Sequence, residues 1–563
     1  MRLGVCLLAL VACGGPSRPR DVRATARDGA VEVWWDPGSP FAVHRVLLVD
    51  LDTGAPASDP VVVRGSRAVL PGTASGVWVE AFPGGRATGL VSAGSHGGTG
   101  AAWQVFAPWD FRDGALAATF AELAPAERLA ILIVNFGAGD GSRAEVRVEG
   151  TAEAAAQPAQ QRSDLAAASP SLHEIVRARE SALARERPAP PETMQSGAQR
   201  SFCVVPGLDF ARHVRKPATL AASTANAEIY LDDEDLGEYE GPDVNNLAQA
   251  FEERVWPAIV STFGAPTDVD GNGKVLVLLT HELGAHLNGG WLIGYFGNAD
   301  LVRARDDSAD CSSGGSNHAE IVYLNDPRAG AANGYAAKDL FATVYPATLA
   351  HELQHMLNFG GRCVLRGCDG PEEIWINEAL SKVAEDLAGY GWNGPGGRAE
   401  GAAYLRRADG ELRGYDGRSL TLWEGDPIGN YQGVHSFLRF FVDRFGTDLL
   451  TRIAAGPGGV ASLEDAVGLP MPFAMAQWAS ALLLSNEPGA PYSFSGAAWS
   501  PLHDRLRHLD TGAPGPLLLR RDGIAAVMSG PGLGGAARIT VHSREETPPY
   551  VVVARASAAL PDR

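Results

Sequence analysis

The sequence predicts a multidomain α+β protein: β-sandwich modules at the N-terminus, a mixed sheet with helices in the middle, and a β module at the C-terminus. Three observations carry that prediction. A chain of 563 residues holds about three or four domains at roughly 100–200 residues each. Its first 150 residues read as short alternating strands cut by Gly, Pro and Asp, whereas helical periodicity dominates only after Pro346. A hydrophobic fraction of 45% supplies core enough to exclude wholesale disorder. Lys and Arg total 47 against 66 Asp and Glu, a net charge of −19 with no basic cluster, which argues against nucleic acid as a partner.

Residues 1–12 have the form of a signal peptide. Arg2 precedes a short apolar stretch, Leu3 to Ala12, that is too short to span a bilayer. Leu10-Val11-Ala12-Cys13 resembles the bacterial lipobox, so Cys13 is the expected lipidation site and mature N-terminus. Acyl chains there would anchor the folded part to a membrane. Gly14 after the cysteine fits export to the outer membrane or cell surface, and the expected location is extracytoplasmic, lipid-anchored or released.

Four cysteines lie beyond the leader: Cys203, Cys311, Cys363 and Cys368. An oxidising compartment favours disulfides, and three connectivities are open. The short Gly-flanked loop holding Cys363 and Cys368 favours that pair, leaving Cys203 with Cys311.

Residues 13–96 carry the strands Val31–Trp35, Val43–Val49 and Val77–Val79. Their spacing, with Trp in the second strand, resembles a fibronectin type III sandwich. Residues 97–150 continue as a small β domain, with Leu129–Val134 as a buried strand. Residues 151–200, rich in Ala, Gln, Ser, Arg and Pro, read as a linker with one helical stretch near Leu172–Ala184. Residues 201–490 hold nearly all the candidate chemistry. Strands are expected at Ala227–Leu231, Lys274–Leu279 and Glu320–Leu324, and an amphipathic helix over Asn245–Thr262. Residues 491–563 return to strands, among them Arg538–Val541 and Tyr550–Val553, as a C-terminal β domain. The Gly-rich stretch 530–537 reads as a hairpin loop.

Residues 351–355 read His-Glu-Leu-Gln-His. On a helix, positions four apart share a face, so His351 and His355 can hold one metal ion while Glu352 reaches a water on it. Pro346 suits a first turn, Leu349, Leu353 and Met356 form an apolar stripe opposite the histidines, and Asn358-Phe359-Gly360-Gly361 reads as a stop. A second helix is expected from Glu373 to Ala388. Its stripe of Ile376, Leu380, Val383 and Leu387 leaves Glu378 on the other side. Two antiparallel helices could then bring His351, His355 and Glu378 to one Zn2+, with a fourth position for water. Glu385 shares the face of Glu378 and suits a hydrogen bond to a ligand histidine.

"TLAHELQHMLNF" and "WINEALSKVAED" resemble the hyicolysin family of zinc metallopeptidases, within the thermolysin-like gluzincins. So do 263–280, 289–301, 316–325 and 431–446, and the likeness covers roughly Ser201–Pro488, about half the chain. The resemblance implies a thermolysin-like mixed sheet plus helices, His351, His355 and Glu378 as zinc ligands, Glu352 as catalytic base, and a protein or peptide substrate. It also implies a Tyr or His, after the ligand Glu, that stabilises the oxyanion; Tyr431 and His435 fit in order. The Asp that the thermolysin type carries four positions after the ligand Glu is Lys382 here, so Glu385 stands in for it only by inference. A catalytically inert surface-binding lipoprotein, or a zinc hydrolase of a non-peptide bond, remains the alternative.

Two motifs count for less. His281-Glu282-Leu283-Gly284-Ala285-His286 has one residue too many for a single helical face and reads as a loop. Asp268-Val269-Asp270-Gly271-Asn272-Gly273 begins like a Ca2+ loop, but Leu279 at the twelfth position excludes an EF-hand. A polar turn is the expectation there, with a non-EF Ca2+ site as its alternative.

Overall fold

In a computed structural model, the chain is described continuously over 198–284, 292–368, 370–391 and 427–468. Shorter described stretches are 103–106, 111–124, 127–135, 142–150, 179–191, 418–423 and 471–484, with separate strands between 20 and 92 and between 507 and 556. The leader with Cys13, and residues 151–178 of the expected linker, lie outside the described residues. Among the described residues, no helix is long and apolar enough to cross a membrane.

The chain forms two compact units. The first begins with a three-stranded antiparallel sheet, Arg20–Arg27, Ala30–Asp36 and Arg67–Pro71, and a four-stranded one, Val61–Arg64, Val43–Val49, Gly76–Phe82 and Ala87–Ser92, each in that spatial order. Val31, Val33, Val46, Leu48, Leu70, Val77 and Val79 from both sheets make one apolar core. Alternation places every second side chain inward, as a sandwich requires.

The same unit corrects the expected domain division. Strand Arg128–Asn135 pairs with Gly523–Ser529 on one side and Tyr550–Ala556 on the other, while Ser142–Gly150 pairs with Pro514–Leu519 and Gly535–Ser543. Residues 97–150 and 491–563 therefore build one structure, with a shared core running from Phe120 and Ile131 to Val541 and Val553. The physical reason lies in Arg128–Asn135, buried almost throughout. A strand covered on both faces needs neighbours at both edges, and the nearby sequence supplies too few. The helix Met471–Leu484, expected in the middle domain, belongs here and packs on Arg128–Asn135 and Tyr550–Ala556. The strands before and after the expected hairpin loop, Gly523–Ser529 and Gly535–Ser543, lie in different sheets, so they are not the two arms of one hairpin, and Leu533 belongs to the shared core.

The second unit carries a six-stranded mixed sheet. Its strands are β1 (Gln199–Val204), β2 (Val214–Ser223), β3 (Ala227–Asp232), β4 (Val275–Thr280), β5 (Gly294–Phe296) and β6 (Ile321–Asn325). The spatial order is β1-β2-β3-β4-β6-β5. β3, β4 and β6 run parallel, and the short β5 is antiparallel at the edge. β3, β4 and β6 are buried at every position, as strands covered on both faces must be.

The crossover from β3 to β4 is helical over α1 (Gly241–Ala250) and α2 (Trp256–Phe263), with a π-turn at Phe251–Val255 between them. Another π-turn, Leu340–Val344, precedes α3 (Tyr345–Phe359). Pro257 and Pro346 each stand just past such a turn. A proline lacks the N–H and crowds the carbonyl four residues back, which a wider turn accommodates. Beyond Phe359 the backbone continues as a π-turn to Leu365, so Gly360 and Gly361 do not stop the helical path. α4 (Ile374–Leu387) lies between α3 and α5 (Pro427–Phe445). It is consequently buried on more sides than its apolar stripe suggested: Glu378, Ser381 and Asp386 are buried along with Ile376, Leu380 and Val383.

Part of the expected linker is built into this unit. Leu183 and Ala184 enter its main core, Ala189 N–H donates to the Val302 carbonyl at 2.8 Å, and Glu186 pairs with Arg303 at 2.6 Å. The structure joins Cys203 to Cys311 and Cys363 to Cys368.

Candidate metal centre

α3 is fixed to the sheet by Leu349, Leu353 and Met356, all essentially buried; removing each from water is worth about 1.5–3 kcal/mol. The helix passes so close to the edge strand that a Cβ on Gly294 would lie 2.8 Å from Thr348 Cγ2. Only glycine fits there. α4 is tied to α3 by the Asn358–Asn377 hydrogen bond, 2.8 Å, and by Ser381, which donates to Gln354 Oε1.

With both helices placed, three sequence-selected side chains converge. Glu378 Oε2 lies 3.1 Å from His351 Nε2 and 3.5 Å from His355 Nε2, and ligand atoms of all three residues fall within 4.8 Å of one another. Zn–N and Zn–O bonds of 2.0–2.1 Å at the tetrahedral angle separate neighbouring ligands by about 3.3 Å. The two measured separations bracket that value, and two imidazoles with one carboxylate form a donor set that suits zinc. The residues present therefore fit the ion.

The surroundings fix protonation. Burial works against a charged imidazole at His351, yet hydrogen bonds to Glu378 and Glu385 push it up to about 10. Burial alone would raise the Glu378 carboxyl, but the charge of His355 and the hydrogen bond from His351 hold it well below the usual range. Both trends mark Glu378 as an anion poised against two nitrogen donors. Glu352 departs in the opposite sense: burial raises its carboxyl above the ordinary value, although both histidines oppose this. Its Oε2 accepts from the Phe296 backbone N–H of β5 at 2.9 Å, which turns it toward the edge strand.

Glu385 Oε1 lies 2.9 Å from His351 Nδ1, and its other oxygen receives Lys382 Nζ at 2.6 Å. The Tyr431 ring, on α5, stands 6.0 Å from that of His351 and edge-on to Trp423. Burial, then the nearby charges of Glu378, Glu352 and Glu385, hold its phenol strongly protonated. His435 does not join them. It is 2% exposed, with Nε2 2.8 Å from Asp386 Oδ2, which also takes Arg439 at 3.0 Å. Four residues along α5 make slightly more than one turn, enough to carry His435 past the cleft and into the α4–α5 contact.

Three contributors escaped sequence reasoning. Phe296 acts through its backbone, which leaves no mark in the sequence. Ser381 Oγ sits 3.1 Å from His355 Nδ1; its signal was the spacing of three from Glu378 on one helix face. Lys382, in sequence only a departure from the thermolysin pattern, is in the structure a partner of Glu385.

Two other clusters form. Asp232, Asp235 and His281 meet at the ends of β3 and β4, with Lys216 and Arg328 paired to the two aspartates. His281 Nδ1 lies 2.9 Å from Asp235 in a short 3₁₀ turn, while His286 falls outside the described residues. Asp268, Asp270 and Glu320 also converge, but their carboxylates accept from Gly273 N–H, Asn272 and Val269 N–H of the same loop, the geometry of a self-contained polar turn.

A mixed sheet carrying a His-Glu-x-x-His helix and a downstream Glu helix defines the class: a chain with a candidate three-ligand metal site beside a fourth side chain, the carboxylate of Glu352. Comparison with known proteins adds one relative. Over 284 residues, 48% of this chain, it is 24% identical to a neutral metalloprotease, ShpI, of Staphylococcus hyicus. The match spans 57% of that protein's length. No family model matches the chain.

Proposed function

We propose that this chain is a zinc-dependent endopeptidase of the hyicolysin type that works outside the cytoplasm. The observation that carries the reading is the meeting of His351, His355 and Glu378, from two helices, beside the carboxylate of Glu352, which stands outside the three-ligand set. Similarity to a neutral metalloprotease directs it toward peptide bonds.

When bound, zinc would lower the pKa of a coordinated water toward neutrality and polarise a carbonyl. His351, His355 and Glu378 hold the ion. Glu352, its proton affinity raised by burial, takes the proton from the attacking water and passes it to the departing amine. Tyr431, kept protonated, donates to the oxyanion that develops on the former carbonyl oxygen. Glu385 accepts from His351 Nδ1–H and orients the ring. β5, at the sheet edge beside Glu352, offers an extended backbone along which a peptide can lie.

The three-plus-four strand order of residues 20–92 supports a fibronectin type III-like module that presents the enzyme or binds substrate. The leader and lipobox support attachment through Cys13 to a membrane outside the cytoplasm.

Metal analysis together with casein digestion tests this. The expected result is one zinc per chain, cleavage abolished by a chelator and restored by added zinc. Protein without zinc, or cleavage that ignores the chelator, overturns the reading.

A further inference from the structure

We propose that Lys382 is a positioning residue for the metal centre, acting through Glu385 to fix which nitrogen of His351 faces the ion. The inference rests on the metal-centre reading above and extends it to a residue that touches neither the ion nor the reacting groups.

The geometry is a short relay. Lys382 Nζ lies 2.6 Å from Glu385 Oε2, and Glu385 Oε1 lies 2.9 Å from His351 Nδ1. All three side chains are largely withdrawn from water, at 16%, 14% and 11% exposure. Lys382 and Glu385 are one turn apart on α4, so the pair forms within a single helix. A carboxylate held by an ammonium on one oxygen offers only acceptor capacity on the other. Facing it, His351 would hold a proton on Nδ1 when an ion is bound, which leaves Nε2, on the side of Glu378, as the nitrogen that meets the ion. If the carboxylate were free to turn, the ring would lose both its orientation and its tautomer preference.

Charge gives a second, independent reason. Glu378 and Glu385 flank His351 at 3.1 and 2.9 Å, and Glu352 stands one residue along α3. Lys382 Nζ, 2.6 Å from Glu385, brings a positive charge to this group of carboxylates, and its removal leaves them less compensated in a largely buried place.

The test measures zinc affinity of the full-length metal-free protein by competition with a chromophoric chelator, so it needs no turnover. Lys382→Met keeps the length and removes the charge; it should weaken zinc binding by about 10–100-fold, the range seen when a partner of a ligand histidine is lost. Lys382→Arg should restore affinity to within a few-fold. Glu385→Gln should lose a comparable amount, and the double variant Lys382→Met/Glu385→Gln should lose no more than Glu385→Gln alone, because the proposed influence of the lysine on the ion passes through that carboxylate. Wild-type affinity in Lys382→Met, a failed rescue by arginine, or losses that multiply in the double variant would each overturn the proposal while leaving the metal centre standing. A wild-type protein that binds no zinc overturns both readings at once. Melting of each metal-free variant, expected within a few degrees of the wild type, shows that an affinity loss comes from the site.

Discussion

Replacing Glu352 with glutamine separates chemistry from structure at this site. The substitution keeps the side chain's shape, and the amide oxygen can still accept from the Phe296 N–H now 2.9 Å from Oε2. Glu352 is not among the three converging ligand residues, so zinc content should stay at the wild-type level. What the amide cannot do is take a proton. Loss of a positioned general base costs about 10²–10⁴ in kcat, equivalent to roughly 3–5 kcal/mol of barrier. The upper half of that range is expected, because the other two carboxylates of the site, Glu378 and Glu385, are each held by a histidine or a lysine. The assay is initial-rate cleavage of a quenched fluorescent peptide, with zinc measured on the same sample. KM should change little, since the carboxylate meets the water and not the substrate's side chains. Zinc-loaded Glu352→Gln that cleaves at the wild-type rate would refute the assignment of the base. Loss of zinc along with activity would refute the separation of ligand and base roles.

Three further outcomes follow from the same geometry. Glu378→Ala removes one of three ligands and should cost more than the ~10–100-fold expected for a partner of a ligand histidine, read as zinc lost on dialysis; full retention would exclude Glu378 from the ion. Tyr431→Phe keeps the ring packed on Trp423 and removes the hydroxyl, so kcat should fall about 10²–10³-fold with zinc affinity unchanged; an unaltered kcat would assign the tyrosine to packing alone. Asp300, 4% exposed, has its carboxyl pushed up to about 7 by burial, against an ordinary value of 3.8. The folded protein therefore binds the proton more tightly than the unfolded chain, and stability falls as pH rises from about 4 through 7. Asp300→Asn removes that dependence, so calorimetry should find its advantage over the wild type growing from pH 5 to pH 8, by about 3 kcal/mol at most. An advantage that is constant with pH would refute it.

Much of the site was legible because helices encode neighbours by number. His351 and His355 share a face at any pitch near 3.6, and Glu378 and Glu385 lie two turns apart, so one helical assumption places all four. That logic weakened where a helix is covered on several sides. The α4 stripe set Glu378 on the face opposite the apolar residues and said nothing of how deeply that face is covered; with α3 and α5 both packed on α4, Glu378, Ser381 and Asp386 are interior residues. Tyr431 and His435 show the limit from the other direction. Order along the chain placed both after Glu378, but which one faces the ion depends on how α5 is rotated against α4, a quantity that packing sets and spacing does not.

The domain layout failed for a related reason. Strand existence was readable from runs such as Leu129–Val134 and Tyr550–Val553, because burial and turn residues are local properties. Strand partnership is not local. Arg128–Asn135 finds both neighbours near residue 525 and residue 553, about four hundred positions away, so the whole second unit is contained between strands of the first unit's sheets. In sequence, the metal-site unit is therefore an insertion between strands of one β framework. Any perturbation that unfolds the metal-site unit therefore lengthens the loop that Arg128–Asn135 must close. By the slow logarithmic growth of closure entropy this adds on the order of 1 kcal/mol, small enough for the β framework to survive loss of the metal.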